Sequence, residues 1–164
     1  MFRPFKYTYI ACNMQVCYHI DMKRVKRRSD CPISFALDIF GDKWTLLVIR
    51  DLMFKNKMYY GDFLKSEEKI ATNILADRLN VLEHAGIVKK IQDSKNKTRY
   101  IYSLTKKGIN TMPMLVEIVL WSAKYDPKTA TPKKFVAQAK NNREELIKQI
   151  RSALKRNKDF FQSR

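Results

Sequence analysis

The segment that most constrains the fold runs from residue 69 to residue 90, because it pairs an apolar stripe with a small, polar face. Its apolar residues recur at helical spacing, and Gly86 stands where a left-handed residue commonly ends a helix. The apolar stripe consists of Ile74, Leu75, Leu79 and Leu82. The opposite face consists of Thr72, Asn73, Ala76, Asp77 and Asn80. We predict a helix over residues 72–84 that is fixed to a core through one face and leaves the other face free.

The residues before this segment predict two helices, a very short strand and a third short helix. Apolar residues recur at helical spacing from Ile33 to Phe40, and Asp42 is well placed to cap a second helix. Residues 58–60 predict the strand, and residues 62–66 predict the third helix.

The residues after this segment predict a hairpin and a long helix. Residues 87–92 and 99–104 alternate as strands do, and the cationic residues 93–98 join them. Thr105 can cap a fifth helix that runs to about residue 124. Because its residues 115–121 are apolar nearly all the way round, this helix suggests a second subunit.

Both ends of the chain differ from its centre. Residues 1–28 predict an extension with a basic arm; we hypothesise that Met22 is the biological start, which would leave residues 1–21 outside the native protein. Residues 29–126 form the predicted domain, and residues 127–164 form a basic helical extension. In that extension we predict one amphipathic helix over residues 133–158. Its apolar positions are Phe135, Leu146, Ile147, Ile150 and Leu154.

The net charge indicates a polyanionic partner. The chain has 164 residues, of which 45% are apolar, so it can bury the core of one ordinary domain. Thirty-three Lys and Arg against sixteen Asp and Glu give a charge of +17, which is typical of proteins that bind nucleic acid or an anionic membrane. The excess is +5 over residues 1–30, +4 over residues 31–126 and +8 over residues 127–164, so most of it lies on the flanks.

Several function classes lack the residues they need. Three irregularly spaced cysteines do not form a disulfide framework, and two histidines complete neither a zinc nor a catalytic pattern. All four glycines lie at or near predicted element boundaries, which leaves no glycine-rich phosphate loop. No apolar run approaches the roughly 18 residues that span a bilayer. We therefore expect a cytoplasmic protein with no metal, cofactor, membrane partner or enzyme activity.

The predicted order of elements is helix, helix, strand, short helix, turn, helix, two-stranded ribbon and long helix. This order is typical of a winged helix-turn-helix, and the fold class is mainly α with a small β-wing and extended dimerisation helices. In it, residues 62–66 supply the supporting helix, residues 72–84 the recognition helix and residues 93–98 the tip of the wing.

The free face of the recognition helix fits a DNA major groove. Thr72 and Asn73 can bond bases or phosphates, and Asp77 could accept a hydrogen bond from a cytosine amino group. The small side chain of Ala76 lets the backbone approach the bases. Asn80 is as readily interpreted as an ordinary surface residue.

Cations on the predicted wing fit the DNA backbone. Lys95, Asn96, Lys97 and Arg99 are expected to meet phosphates or the minor groove, although a solvated hairpin would have the same composition. Arg78 stands between core leucines, so it is expected to reach past them to a phosphate or to pair with an acid in the same domain.

Five ordered motifs across roughly residues 28–126 carry a family resemblance. They are Asp30-Cys-Pro-Ile33, Gly41-Asp-Lys-Trp-Thr-Leu-Leu-Val-Ile-Arg-Asp-Leu52, Ile74-Leu-Ala-Asp-Arg-Leu79, Leu82-Glu-His-Ala-Gly-Ile87 and Tyr102-Ser-Leu-Thr-Lys-Lys-Gly108. Together they resemble the HxlR-type transcriptional regulators, which are relatives of the MarR group. Ala71 departs from the serine of many relatives, which moves the expected helix cap to Thr72, and the basic C-terminal helix extends beyond the resemblance.

The resemblance implies a homodimer whose first and fifth helices pair across the two-fold axis. The two recognition helices would then enter successive major grooves of a pseudo-palindromic operator, about 34 Å apart. The residues expected in the dimer interface are Ile33, Leu37, Phe40, Met112, Leu115 and Val119.

Cys31 has two interpretations. It precedes the first helix, where unpaired backbone amides and the nearby basic residues would favour a thiolate. In several members of the family, the cysteine at this Cys-Pro position senses electrophiles or oxidants. The second interpretation, which we favour, is a small residue buried at a dimer interface.

We therefore expect a homodimeric repressor that binds double-stranded DNA sequence-specifically and responds to a small-molecule effector, an electrophile or a thiol oxidant. Two other functions stay open at this point. One is a winged-helix module that binds a protein partner, and the other is a nonspecific or architectural nucleic-acid-binding protein that uses residues 133–158.

Overall fold

The computed structural model describes residues 28–156. Within this range the chain forms eight helices and one antiparallel two-stranded sheet. In chain order the elements are α1 (Pro32–Phe40), α2 (Thr45–Phe54), α3 (Tyr60–Leu64), α4 (Thr72–His84), β1 (Val88–Gln92), β2 (Tyr100–Leu104), α5 (Lys106–Ile109), α6 (Met112–Tyr125), α7 (Lys133–Asn141) and α8 (Arg143–Lys155). The hypothesis about Met22 and residues 1–21, and the end of the predicted basic helix, lie outside the described residues.

Helix α2 forms the centre of the core. Val48, Ile49, Leu52, Met53 and Phe54 are all buried, and the helix contacts α4, β2, α6 and α8. The mainly helical winged helix-turn-helix that the sequence predicts is confirmed.

The cap of α2 is confirmed, whereas α3 begins earlier than predicted. Asp42 Oδ1 accepts hydrogen bonds from the backbone N–H groups of Trp44 at 2.7 Å and Thr45 at 3.0 Å. Helix α3 starts at Tyr60, because the Asp62 carboxylate accepts from the Tyr59 backbone N–H at 3.0 Å and thus lies inside the first turn. The predicted short strand is reduced to a single bridge between Tyr59 and Ile101.

Helix α4 has the predicted bounds, but its predicted cap is wrong. Gly86 follows it with φ of +67°, as the sequence indicates. Ala71 is the extended capping residue, and its side chain makes no capping hydrogen bond. Thr72 is already helical, so its side chain is one position too late to cap.

The predicted fifth helix is interrupted. The Thr105 hydroxyl caps α5 by accepting from the Gly108 backbone N–H at 3.1 Å, as expected. Helix α5 ends at Ile109 and α6 starts at Met112. Pro113 explains the break, because proline has no N–H to donate to the Ile109 carbonyl and its ring would clash there.

The predicted C-terminal helix is a helical hairpin instead. Asn142, with φ of −149° and ψ of 75°, separates α7 from α8 and caps α8 by accepting from the Glu145 backbone N–H at 3.1 Å. The Phe135 ring of α7 meets the Phe54 ring of α2 edge-on, with 6.5 Å between centroids. Leu146 and Ile150 of α8 are fully buried. The apolar face of this C-terminal hairpin (residues 133–155) is therefore part of the main core.

Among residues 28–156, no helix combines the length and the apolar character that crossing a membrane requires.

Candidate nucleic-acid interface

The five residues predicted to face DNA form one exposed surface of α4. Thr72, Asn73, Ala76, Asp77 and Asn80 are all exposed. On the other side of the helix, Leu75, Leu79 and Leu82 are buried in the core. The exposed surface is thus presented by a helix whose back is fixed.

Contacts from α3 and α2 hold the N-terminal end of α4. The Tyr60 hydroxyl donates to the Thr72 carbonyl at 2.6 Å, which ties the start of α3 to the first residue of α4. In the turn between α3 and α4, Glu68 accepts two hydrogen bonds from the guanidinium of Arg50, one of them 3.0 Å long. The Arg50 guanidinium lowers the pKa of Glu68 to about 2, because it stabilises the ionised carboxylate.

The buried carboxylate of Asp51 supports the same turn from the side of the core. Asp51 is 2% exposed and accepts from Arg50 at 2.6 Å, from Lys57 Nζ at 2.7 Å and from the Ser66 hydroxyl at 2.5 Å. This charge is fully paired, as a buried charge requires. The network connects α2 with the loop before α3 and with the turn before α4.

Arg78 pairs with two acids of its own chain. Its Nη1 lies 2.9 Å from Asp42 Oδ2, and its Nη2 contacts Asp77 Oδ2. The hydrogen bond to Asp77 is the main cause that raises the pKa of Arg78. Burial raises the pKa of Asp42, but hydrogen bonds from Thr45, Trp44 and Arg78 outweigh it, so that pKa lies below its usual value. The sequence predicts that Arg78 contacts either a phosphate or an acid of the same domain, and the structure shows the contact with an acid.

The wing tip is shaped by its own side chains and anchored to the loop before α3. Asp93 Oδ1 accepts a hydrogen bond from the Lys95 backbone N–H at 2.9 Å, and this hydrogen bond contributes most to lowering the pKa of Asp93. The Tyr59 hydroxyl donates to Asp93 Oδ2 at 3.1 Å, and the Arg99 guanidinium lies 5.3 Å from the centre of the Tyr59 ring. Asn96 Oδ1 accepts from the Thr98 N–H at 3.0 Å.

The predicted wing residues are all on the surface, although they play different parts. Lys95, Lys97 and Arg99 are exposed. Asn96 is exposed too, but its side-chain oxygen is used within the turn. The lysines therefore extend from a tip of defined shape.

Sequence reasoning missed the residues that position this interface. Tyr59, Tyr60, Arg50 and Glu68 act through partners that are 12 to 34 positions away in the chain. No spacing rule links residues so far apart. The only local signal is Asp62, three positions after Tyr59, which is the spacing of a capping box.

Exposed apolar side chains lie on α1 and α6. Ile33 is 69% exposed and Leu37 is 54% exposed on α1, while Trp121 is 65% exposed and Tyr125 is 61% exposed on α6. Phe35 and Ile118 extend the same two groups. Such side chains are typical of surfaces that another chain covers.

The predicted interface residues divide into three groups. Ile33 and Leu37 are exposed, and Phe40 and Val119 are half-buried. Met112 and Leu115 are buried in the core of their own chain, so assigning them to a surface between subunits needs correction. Their side of α6 faces α2, and the outer side of α6 is formed by Ile118, Trp121 and Tyr125.

Cys31 is an exposed free thiol at the capping position of α1. Its backbone N–H lies 3.3 Å from the Ser29 hydroxyl oxygen, and its carbonyl accepts the first hydrogen bond of the helix. Across residues 28–156, no group of three or more His, Cys, Asp or Glu side chains is arranged to hold a metal ion.

Comparison with known proteins places this arrangement in a family. The family model described as HxlR-like helix-turn-helix matches residues 39–130. An uncharacterised HTH-type transcriptional regulator of Synechocystis sp., sll1512, is 35% identical over 86 residues, which cover 52% of this chain and 63% of that relative.

Solved structures show the same fold. PA1607, a candidate transcription factor, matches 65% of this chain and 74% of its own, with a TM-score of 0.58 and 32% identity. The redox regulator HypR in its oxidised form matches 57% of this chain and 96% of its own, with a TM-score of 0.52 and 25% identity. This chain belongs to the HxlR-like helix-turn-helix family of transcriptional regulators.

Proposed function

We propose that this protein is a sequence-specific DNA-binding repressor that places α4 in the major groove. The observation that carries the proposal is the divided burial of α4, whose three leucines are buried while all five polar or small residues opposite them are exposed. A helix fixed in this way can present Thr72 and Asn73 to base edges without reorganisation.

The wing supplies contacts that do not depend on sequence. Lys95, Lys97 and Arg99 lie on the strand connection that follows α4, and each can neutralise a phosphate or enter the minor groove. The bond between Tyr59 and Asp93 keeps the base of this connection in place.

The functional unit we propose is a cytoplasmic homodimer without catalytic activity. Its interface would cover the exposed apolar side chains of α1 and α6, which include Ile33, Leu37 and Trp121. Two α4 helices would then meet half-sites about 34 Å apart on a pseudo-palindromic operator. A dimer on an operator that overlaps a promoter would exclude RNA polymerase.

Regulation by thiol chemistry or by a small-molecule effector is part of the proposal. Cys31 is exposed at the start of α1, beside the apolar side chains of that helix, and a redox regulator is among the structures with this fold. Modification there would change how two α1 helices pack and hence the separation of the recognition helices. Cys31→Ser should abolish any oxidant response while keeping DNA binding; an unchanged response would return Cys31 to a purely structural role.

The test is a mobility shift with DNA that flanks the protein's own gene, at low and high salt with excess competitor DNA. Asn73→Ala should weaken operator binding by about tenfold or more, because it removes a base or phosphate contact. Asn141→Ala is the matched control, since Asn141 is an exposed asparagine on α7. Equal loss of binding in both variants, or loss of the operator shift in excess competitor DNA, would contradict the proposal.

One observation favours nonspecific nucleic-acid binding as a second candidate. All eight lysines and arginines between residues 133 and 156 are exposed, against two glutamates. Deleting the segment is a poor test because its apolar face belongs to the core. Reversing the charges of Lys148, Arg151 and Lys155 should remove most binding if this candidate holds, but should leave operator preference intact in a specific repressor. A protein-binding module predicts neither salt dependence nor any effect of Asn73→Ala.

A further inference from the structure

Arg78 connects the outer surface of α4 to the turn before α2. One side of its guanidinium contacts Asp42 and the other contacts Asp77, which is the acid on the exposed surface. The side chains of Asp42 and Arg78 are 27% and 25% exposed, whereas that of Asp77 is 58% exposed. Arg78 thus reaches from a fixed part of the protein to a carboxylate that is free to meet another molecule.

Asp42 is a rigid anchor for this series. Its Oδ1 accepts the backbone N–H groups of Trp44 at 2.7 Å and Thr45 at 3.0 Å, and its Oδ2 accepts the Thr45 hydroxyl as well as Arg78 at 2.9 Å. A carboxylate that holds four donors cannot turn without breaking the cap of α2. The position of the Arg78 guanidinium is therefore set by the backbone of another helix.

The charges in this group indicate what it can bind. One guanidinium between two carboxylates leaves a net negative charge at the surface of α4, and both sides of the Arg78 fork face an acid of the same chain. A phosphate would be repelled by Asp77, whereas an amino group at a base edge would be attracted. In the major groove, aspartate pairs with the cytosine N4 amino group.

We propose that Asp77 selects cytosine in each half-site, and that Arg78 and Asp42 are positioning residues which hold its carboxylate in one orientation. The proposal rests on α4 being the DNA-reading helix. Under this proposal Arg78 does not contact a phosphate. Arg78 and Asp42 instead contribute to base selection by positioning Asp77.

The test is selection of bound sequences from a pool of random DNA by the full-length protein, followed by affinities for single-base variants of the selected site. The native protein should prefer cytosine at one position of each half-site, and Asp77→Asn should lose about tenfold discrimination there. Asp42→Asn should reduce discrimination at the same position alone, because asparagine also caps helices well but holds arginine more weakly.

Arg78 variants separate positioning from phosphate binding. Arg78→Gln should reduce cytosine discrimination and leave the salt dependence of binding unchanged, and Arg78→Lys should behave likewise, since lysine cannot bridge two carboxylates in the geometry of a fork. A phosphate contact would instead lower the slope of log affinity against log salt by about one on Arg78→Gln, with base preference unchanged.

Glu117→Gln is the matched control, because it removes a carboxylate of α6 that pairs with Arg143 of α8, and neither residue belongs to the Asp42–Arg78–Asp77 group. It should leave every base preference unchanged. The inference is overturned if Asp42→Asn leaves cytosine preference intact while Asp77→Asn removes it, or if Arg78→Gln changes only the salt slope. If the native protein enriches no sequence at all, it is the proposed function that fails.

Discussion

Helix α4 and the C-terminal hairpin are both amphipathic, yet their outer surfaces have opposite chemistry. The side chains on the outer surface of α4 are small and mostly uncharged. Asp77 is the acidic residue among them, and Arg78 pairs with Asp42 and Asp77 of the same chain. The outer surface of the hairpin carries seven cations. Most of the attraction for a polyanion therefore lies away from the surface suited to select bases, so a large positive charge by itself does not locate the specific site.

The inner surfaces of the two elements are alike. Leu75 and Leu79 of α4 and Leu146 and Ile150 of the hairpin are all at most 2% exposed, and both elements contact α2. The hairpin is thus as much a part of this core as α4 is. The comparison can be tested at four points, beginning with the largest expected effect.

Leu146→Ala should destabilise the whole domain by about 2–5 kcal/mol, because it removes a fully buried side chain and leaves a cavity. The measurement is urea unfolding followed by circular dichroism, with a single transition expected. Lys148→Ala, on the exposed side of the same helix, should have almost no effect. A native midpoint for Leu146→Ala would mean that the hairpin is not part of the core.

Replacing Lys148, Arg151 and Lys155 together by glutamate should weaken DNA binding by about tenfold at low salt through the loss of long-range attraction. Operator preference, measured as the ratio of affinities for operator and competitor DNA, should be unchanged. Unfolding should keep its native midpoint, since all three side chains are exposed. A collapse of the affinity ratio would show that the hairpin, and not α4, carries selectivity.

Acid should loosen the support of α4 before it affects the apolar contacts of the hairpin. The pKa of Glu68 is lowered to about 2 in the folded protein, so its pairing with Arg50 stabilises the fold fully above about pH 4.5 and is lost as the pH falls through about 2. Because this pair is partly exposed, we expect Glu68→Gln to cost only about 1 kcal/mol near neutral pH. The difference from the native protein should shrink steadily below about pH 4.5 in urea unfolding at several pH values. A difference that does not change with pH would exclude the ion pair as its cause.

The smallest expected effects concern helix caps. Helix α4 begins at Ala71 without a side-chain cap, whereas α8 has Asn142. Ala71→Ser should therefore stabilise the protein by about 0.5–1 kcal/mol, and Asn142→Ala should destabilise it by about 1 kcal/mol. Thermal unfolding monitored by circular dichroism measures both. Changes in stability of the opposite sign would mean that other groups already bond the free backbone N–H groups at the N-terminal ends of α4 and α8.

Local sequence signals were sufficient to predict those features that depend on residues within a single helix or strand. The bounds of α4, the cap of α2 by Asp42, the cap of α5 by Thr105 and the left-handed Gly86 all depend on residues within one turn. The signal for the break at Pro113 is equally local, but apolar spacing continues across it and by itself predicts one uninterrupted helix. The positions of β1 and β2 followed from alternation and a polar turn.

Sequence by itself determined the type of each long element, the apolar side of each helix and the five residues left free on α4, because periodicity and capping act over a few residues. Tertiary structure decided what covers each apolar side: the hairpin lies on α2, Met112 and Leu115 face inward, and Arg78 pairs with Asp42, which is 36 positions away in the chain. These contacts depend on how helices pack in three dimensions, and the spacing of residues along one helix carries no information about its neighbour.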